Sequence, residues 1–269
     1  MTIKEIQEIP NPHTKKMTPI KEKQDIFVPD IINQNISRRN GMVYVFTGSG
    51  GSGKSSLMLN MFKDKYMYRN KYHNIYYFCP SASFSSVQNH PFAKHDKVYH
   101  DLTIGALETI YNELVESKLE STKEKEKKPK SPYPEEGEEE EPESEDEKEI
   151  QYSAIILDDF ADSLKDGDIQ RFLNKFIIKA RHLCCSFFIT LQSYNYLPKL
   201  LRKQITYITI FKPKNIEEWY SISSELLNLN KEDALKIFNY VFDKPYTHLD
   251  VDTTTNIIYK SFNKLNITE

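Results

Sequence analysis

The sequence predicts an α/β fold with a mostly parallel central sheet covered by helices on both faces, plus a C-terminal β-hairpin. Three observations lead there. Short apolar, strand-like runs alternate with segments of helical periodicity, the pattern of a parallel sheet with crossover helices. The chain of 269 residues, 39% of them hydrophobic, is long enough to bury one such core. Three polar motifs, at Gly48, Asp158 and Gln192, each follow a strand-like run, where α/β sheets gather their ligands.

The elements follow in order. Residues 1–37 carry prolines at 10, 12, 19 and 29 and little periodicity, so an N-terminal extension, partly disordered, is expected before a domain spanning 38–269. Met42–Thr47 is a short apolar strand closed by Gly48. Gly53–Phe62 reads as a helix and Asn74–Phe78 as an aromatic strand ending at Cys79-Pro80. Val98-Tyr99 is a further short strand. Thr103 to about Val115 places Ile104, Leu107, Ile110, Tyr111 and Leu114 on one helical face. Ser153–Asp159 is a buried strand ending in two carboxylates, with Asp168 as the cap of the helix that follows to Arg181-His182. Ser186–Leu191 is another buried strand, ending in Gln192; Leu197–Lys203 is a short basic helix and Tyr207–Phe211 a strand. Helices are expected at about 215–227 and 231–242, then a hairpin of His248–Asp252 and Asn256–Phe262.

Charge is distributed unevenly. The formal net charge is −3, from 36 Lys+Arg against 39 Asp+Glu, and the mean hydropathy is −0.61. Residues 118–150 alone hold 7 basic and 14 acidic side chains, leaving 29 and 25 elsewhere, a body of net +4. Such a body is compatible with a polyanionic partner. The segment 117–150 has a Lys-rich half, an acidic half, four prolines and no apolar face, so a disordered charged insertion is expected. It is either a solvated loop or an acidic competitor for a basic groove. The start of the chain has no apolar signal-peptide core and no run spans a bilayer, so an intracellular protein without an integral membrane segment is expected. Cys79, Cys184 and Cys185 have no CxxC spacing and read as buried thiols.

The strongest chemical signal is Gly48-Ser49-Gly50-Gly51-Ser52-Gly53-Lys54-Ser55, which fits GxxxxGK[ST] between a strand and a helix. Glycines let backbone N–H groups converge on phosphate, and the helix N-terminus, from Lys54 through Ser56, adds its positive end. Lys54 is assigned to the β and γ phosphates of ATP and Ser55 to Mg²⁺. Asp158, at the end of a buried strand, is the second metal residue, acting through water. Asp159 is the candidate to orient the attacking water, against the alternative of a cap or a solvated acid. Gln192 either faces the γ-phosphate or begins a loop. Arg181 and Arg202 are candidates for an arginine finger on a neighbouring subunit; Arg181 could equally cap a helix C-terminus. Asn230-Lys231-Glu232-Asp233 matches a guanine-reading pattern, but no DxxG accompanies it, so GTP is rejected and Asn230 read as a helix cap. His90, His95 and His100, five apart, share no helical face and read as loop residues. Tyr194, Tyr196, Lys199, Arg202 and Lys203 form a basic, aromatic stretch suited to DNA phosphates or to solvent.

Together, the loop at Gly48–Ser55, Cys79-Pro80-Ser81, Asp158-Asp159-Phe160, Arg181-His182, Gln192, Leu197-Pro198, Arg202 and the terminal hairpin resemble the genome-packaging ATPases of large nucleocytoplasmic DNA viruses, within the FtsK–HerA superfamily. The resemblance covers about residues 38–262. It implies a P-loop ATPase using ATP and Mg²⁺, a homo-oligomeric ring (pentamer or hexamer), and double-stranded DNA as track. It further implies a role in filling capsids with capsid or portal partners, in the virion or a viral factory of the host cytoplasm. The alternatives from the residues alone are a P-loop phosphotransferase and a regulatory ATP-binding protein. A Gln192 strand lying between those of Gly48 and Asp158 would favour the motor; a metal strand directly beside the loop strand would favour a kinase.

Overall fold

The computed structural model describes residues 31, 33, 35–126 and 151–266. Its strands are β1 Val43–Thr47, β2 Asn74–Phe78, β3 Val98–Tyr99, β4 Ser153–Asp158, β5 Cys185–Leu191, β6 Tyr207–Phe211, β7 His248–Asp252, β8 Ile257–Lys260 and β9 Asn263–Lys264. The helices are α1 Lys54–Lys63, α2 Ser81–Ser85, α3 Ile104–Glu126, α4 Gly167–Lys179, α5 Lys199–Arg202, α6 Ile216–Leu227 and α7 Lys231–Val241. One nine-stranded sheet runs β3-β2-β4-β5-β1-β6-β7-β8-β9. The strands from β3 through β6 are parallel, and β7, β8 and β9 continue the sheet antiparallel.

Strand alternation divides the core into two layers. Val43 and Val45, Ile155 and Leu157, Phe187 and Ile189 face α3, α4, α6 and α7. Tyr44 and Phe46, Ala154 and Ile156, and Phe188 face α1 and the turns carrying Tyr68, Tyr72 and Phe92. That second layer is rich in rings, with Phe188 against Phe62, Tyr68 and Tyr72 at 4.9, 5.1 and 5.8 Å. Both faces of the central strands are thus covered, as their near-continuous apolar runs require.

The structure revises several local expectations. Helix α3 continues past Val115 to Glu126, into the charged segment expected to be disordered from residue 117. No glycine or proline intervenes between Gly105 and Pro129, and Leu, Glu and Lys are strong helix formers. The remainder of that segment lies outside the described residues, as does most of the predicted extension. Its last part belongs to the body: Ile31 and Ile36 are buried, and Tyr207 Oη donates to Asn35 O at 2.7 Å. The cap of α4 is Asp166, whose carboxylate accepts from Asp168 N and Ile169 N; Asp168 instead occupies the first turn and pairs with Arg171. Asn230 does cap α7, accepting from Asp233 N at 2.9 Å. The C-terminal hairpin carries a third strand, β9. Cys184 precedes β5 in a left-handed turn (φ 52°), so only Cys185 is in a strand, and all three thiols are buried and free. Among the described residues no helix is long and apolar enough to cross a membrane.

Gly41 pins the entry to β1. Its φ is +68°, and a Cβ there would lie 2.3 Å from Arg181 Cα and 2.6 Å from Arg181 N. Neither backbone can yield without moving α4 off the sheet. Gly41→Ala is expected to lower unfolding free energy by about 3 kcal/mol or more. Urea denaturation reads this directly, and an unchanged midpoint would contradict the close approach.

Candidate nucleotide site

The loop between β1 and α1 is shaped by glycine. Gly48, Gly51 and Gly53 have φ of 152°, 75° and 104°. A Cβ at Gly48 would meet Phe211 Cβ at 2.6 Å and Ser52 Oγ at 2.9 Å, so this position is closed to larger residues. At Gly50 and Gly51 a Cβ would meet nothing within 4 Å; there the backbone borders open space on the side a ligand would use. The Ser52 hydroxyl is buried with no partner among the described residues. Gly53 caps α1 without a side-chain bond. The first N–H groups of α1, from Lys54, Ser55 and Ser56, therefore remain available to an anion.

Lys54 is buried, and its ammonium donates to Ser49 O at 3.0 Å. Burial lowers its pKa, and the carboxylates of Asp159 and Asp158 offset part of that effect. A cation at this depth is held in place by negative charge nearby and suits a polyphosphate.

Asp158 shares the α1 side of β4 with Ala154 and Ile156, by the period-two alternation of the strand. Its side chain meets the start of α1 directly. Ser55 Oγ donates to Asp158 Oδ1 at 2.8 Å, and Thr190 Oγ1 donates to the same oxygen at 2.5 Å. Tyr77 Oη donates to Oδ2 at 2.9 Å, and His90 Nε2 lies 3.2 Å from that phenol. Burial, followed by the Asp158 charge, pushes the Tyr77 phenol far up, so it remains a donor. Ser55 and Asp158 thus place hard oxygen donors together, a set that fits Mg²⁺.

Asp159 takes a left-handed conformation, φ 64°, which Asp tolerates better than most residues. That turn swings its carboxylate away from the strand. Gln192 Nε2 donates to Oδ1 at 3.1 Å and Ser83 Oγ to Oδ2 at 3.3 Å, while Asp159 N donates to Thr190 Oγ1 at 3.0 Å. Asp159 is therefore an exposed acid steered by Gln192, just past β5, and by Ser83 within α2, and it is no helix cap.

The structure joins Gly48–Ser56, Asp158, Asp159 and Gln192 at one edge of the sheet. It does not bring the arginines there. Arg181 follows α4 beside Gly41, at the opposite end of β1 from the loop. Arg202 donates to Leu197 O at 2.7 Å and Asn195 O at 3.2 Å, pairs with Glu225 at 3.1 Å, and stacks on Tyr194 at 4.7 Å. Tyr77, Ser83, His90, Thr190 and Phe211 were not singled out from sequence as site residues. Thr190 stands opposite Asp158 in the β4–β5 register, a pairing no local pattern encodes. Ser83 lies just past the Cys79-Pro80-Ser81 motif.

Comparison with known proteins places these features in a family. The family model described as Poxvirus A32 protein matches residues 33–248. No curated protein sequence matches the chain. Among solved structures, the DNA-packaging ATPase B204 of Sulfolobus Turreted Icosahedral Virus is similar with a TM-score of 0.54 and 17% identity, over 85% of this chain and 99% of that one. B204 of Sulfolobus turreted icosahedral virus 2, in complex with AMPPCP, gives 0.50 and 18%, over 85% and 99%. ATPases 2 and 3 of EssC from Geobacillus thermodenitrificans give 0.56 and 15%, over 85% of this chain and 40% of that one. At these identities the structures speak to the fold, which they share, while the sequence match spans most of the chain including every residue of the site. The chain belongs to the poxvirus A32 protein family.

Proposed function

We propose that this chain is a Mg²⁺-dependent ATPase that moves double-stranded DNA into a viral capsid as a subunit of a homo-oligomeric ring. The observation that carries this reading is the strand order β4-β5-β1. It sets the end of β5, with Gln192 and Thr190, between the phosphate loop and the two carboxylates. A polar residue there can respond to a γ-phosphate and pass that response on through β5. A kinase arrangement with β4 directly beside β1 lacks this relay, so the order weighs against the phosphotransferase reading. The likeness to B204, a DNA-packaging ATPase, and the family itself support capsid filling as the work performed.

The residues divide the work by position. Backbone N–H groups of Gly50 to Ser56 and the Lys54 ammonium hold the triphosphate of ATP. Ser55 and Asp158 would hold Mg²⁺, which neutralises phosphate charge when bound. Tyr77 and Thr190 fix the Asp158 carboxylate so that it does not rotate away from the metal position. Asp159 accepts a hydrogen bond from the attacking water and aligns it, with Gln192 and Ser83 setting the carboxylate plane. Arg181 lies at the far end of β1 and Arg202 is tied to Leu197, Asn195 and Glu225, so a finger from either is assigned to the neighbouring subunit. Arg202 would have to leave its bonds to Leu197, Asn195 and Glu225. The basic stretch around Lys199 and Lys203, both exposed, is assigned to DNA phosphates.

Lys54→Ala is expected to reduce steady-state ATP hydrolysis to background, and double-stranded DNA to raise the activity of the unaltered chain. Hydrolysis indifferent to DNA in the presence of capsid components would argue against the motor. Asp159→Asn should lower turnover by about 100-fold or more while leaving nucleotide affinity near its original value. Gln192→Ala, which removes one bond to that carboxylate, should cost about tenfold. Single-turnover hydrolysis with titrated nucleotide binding separates these outcomes. Equal loss of binding and turnover at Asp159 would assign that residue to the metal instead.

A further inference from the structure

The catalytic groups occupy one side of the loop only. In the sheet, β5 and β4 lie to one side of β1, and they carry Thr190, Gln192, Asp158 and Asp159. A triphosphate whose terminal phosphate faces that side must carry its nucleoside towards the other, where β6 and β7 lie. Two aromatic rings wait there. Phe211, buried at the end of β6, would touch a Cβ at Gly53 at 3.5 Å, and Tyr246 at 3.4 Å.

Tyr246 has three properties that its local structure leaves unexplained. Its side chain is among the most exposed large aromatics, at 71%. Its backbone is left-handed, φ 64°, a strained choice for a bulky side chain where glycine or asparagine would serve. The turn that holds it is closed by Thr247 Oγ1 donating to Lys244 O at 2.8 Å, and Pro245 stiffens it further. A strained turn is thus spent on standing a rigid ring in solvent beside the N-terminus of α1.

We propose that Tyr246 is the base-stacking residue of the nucleotide site, its ring face receiving the purine of ATP. The assignment rests on the phosphate-loop reading above. Base–aromatic stacking needs a rigid flat face with water on it, which is the state of Tyr246. The contact comes from ring area, so the phenol hydroxyl is dispensable, and purines are favoured over pyrimidines through their larger rings.

The test compares ATP with inorganic tripolyphosphate, which has the phosphates and no base. Calorimetric titration of the full chain should show Tyr246→Ala binding ATP about tenfold more weakly and tripolyphosphate unchanged. Tyr246→Phe should retain ATP affinity. Tyr246→Trp should have its emission quenched by ATP and not by tripolyphosphate. Lys54→Ala serves as the control for the loop and should lose both ligands; if it binds both normally, the phosphate-loop reading itself fails. Equal weakening of ATP and tripolyphosphate by Tyr246→Ala would make Tyr246 a support of the loop and overturn the proposal. Unchanged ATP affinity, with or without an altered oligomeric state, would overturn it as well.

Discussion

The site depends on one buried carboxylate. Asp158 is 3% exposed, at the end of a strand whose other side chains are apolar or small. A charge at that depth persists only if its oxygens are satisfied. Ser55, Thr190 and Tyr77 each donate to it, and they come from α1, β5 and β2. Those elements must therefore sit at one register and one height, or the charge is left uncompensated. The same demand for donors around the carboxylate also aligns the phosphate loop with the strand that leads into Gln192. Stability and site geometry here share a single cause.

A second network ties the loop to the antiparallel half of the sheet. Phe211 lies under Gly48 and Gly53, and its ring packs on His248 at 5.3 Å. His248 Nδ1 is 2.8 Å from Asp250 Oδ1, which also accepts from Thr209 at 2.6 Å, and Thr209 meets Tyr44 Oη at 2.8 Å. Asp250 Oδ2 accepts from Phe262 N at 2.9 Å. All of Tyr44, Thr209, His248 and Asp250 are buried. Strands β7 and β8 are therefore more than an edge cover: a displacement of the loop at Gly48 presses on Phe211 and through it on a closed hydrogen-bonded set. In such a dense interior the pieces move together.

Much of this was readable in the sequence, for a physical reason. Runs such as Ser153–Asp158 and Cys185–Leu191 are largely apolar because both their faces are buried, and Asp158 closes the first while Gln192 follows the second, at the sheet end where the glycine loop lies. The glycine spacing of the loop is dictated by positive φ, a local constraint. What escaped was what locality does not encode. Thr190 acts through register, Ser83 through the placement of a short helix, and Tyr77 through an 81-residue separation from Asp158. The choice of Asp166 over Asp168 as cap turned on one two-residue shift in where the helix begins. The extension of α3 to Glu126 reflects helix propensity prevailing over the charge repulsion that argued for disorder.

The position of β1 has a consequence for how the molecule comes into being. It is the first strand among the described residues, yet its sheet partners are β5 and β6, with Val43 opposite Phe187 and Tyr44 opposite Tyr207. During synthesis β1 cannot pair until the much later segments β5 and β6 have been delivered. Contacts closed over such distances are slow to form. In the interval Tyr44 and Phe46 are solvent-facing on an unpaired strand, a state prone to association with other chains. The phosphate loop hangs from this strand, so it takes its shape only once β5 and β6 have paired with β1. A ligand bound by the shaped loop would stabilise, by mass action, the molecules in which that pairing is complete.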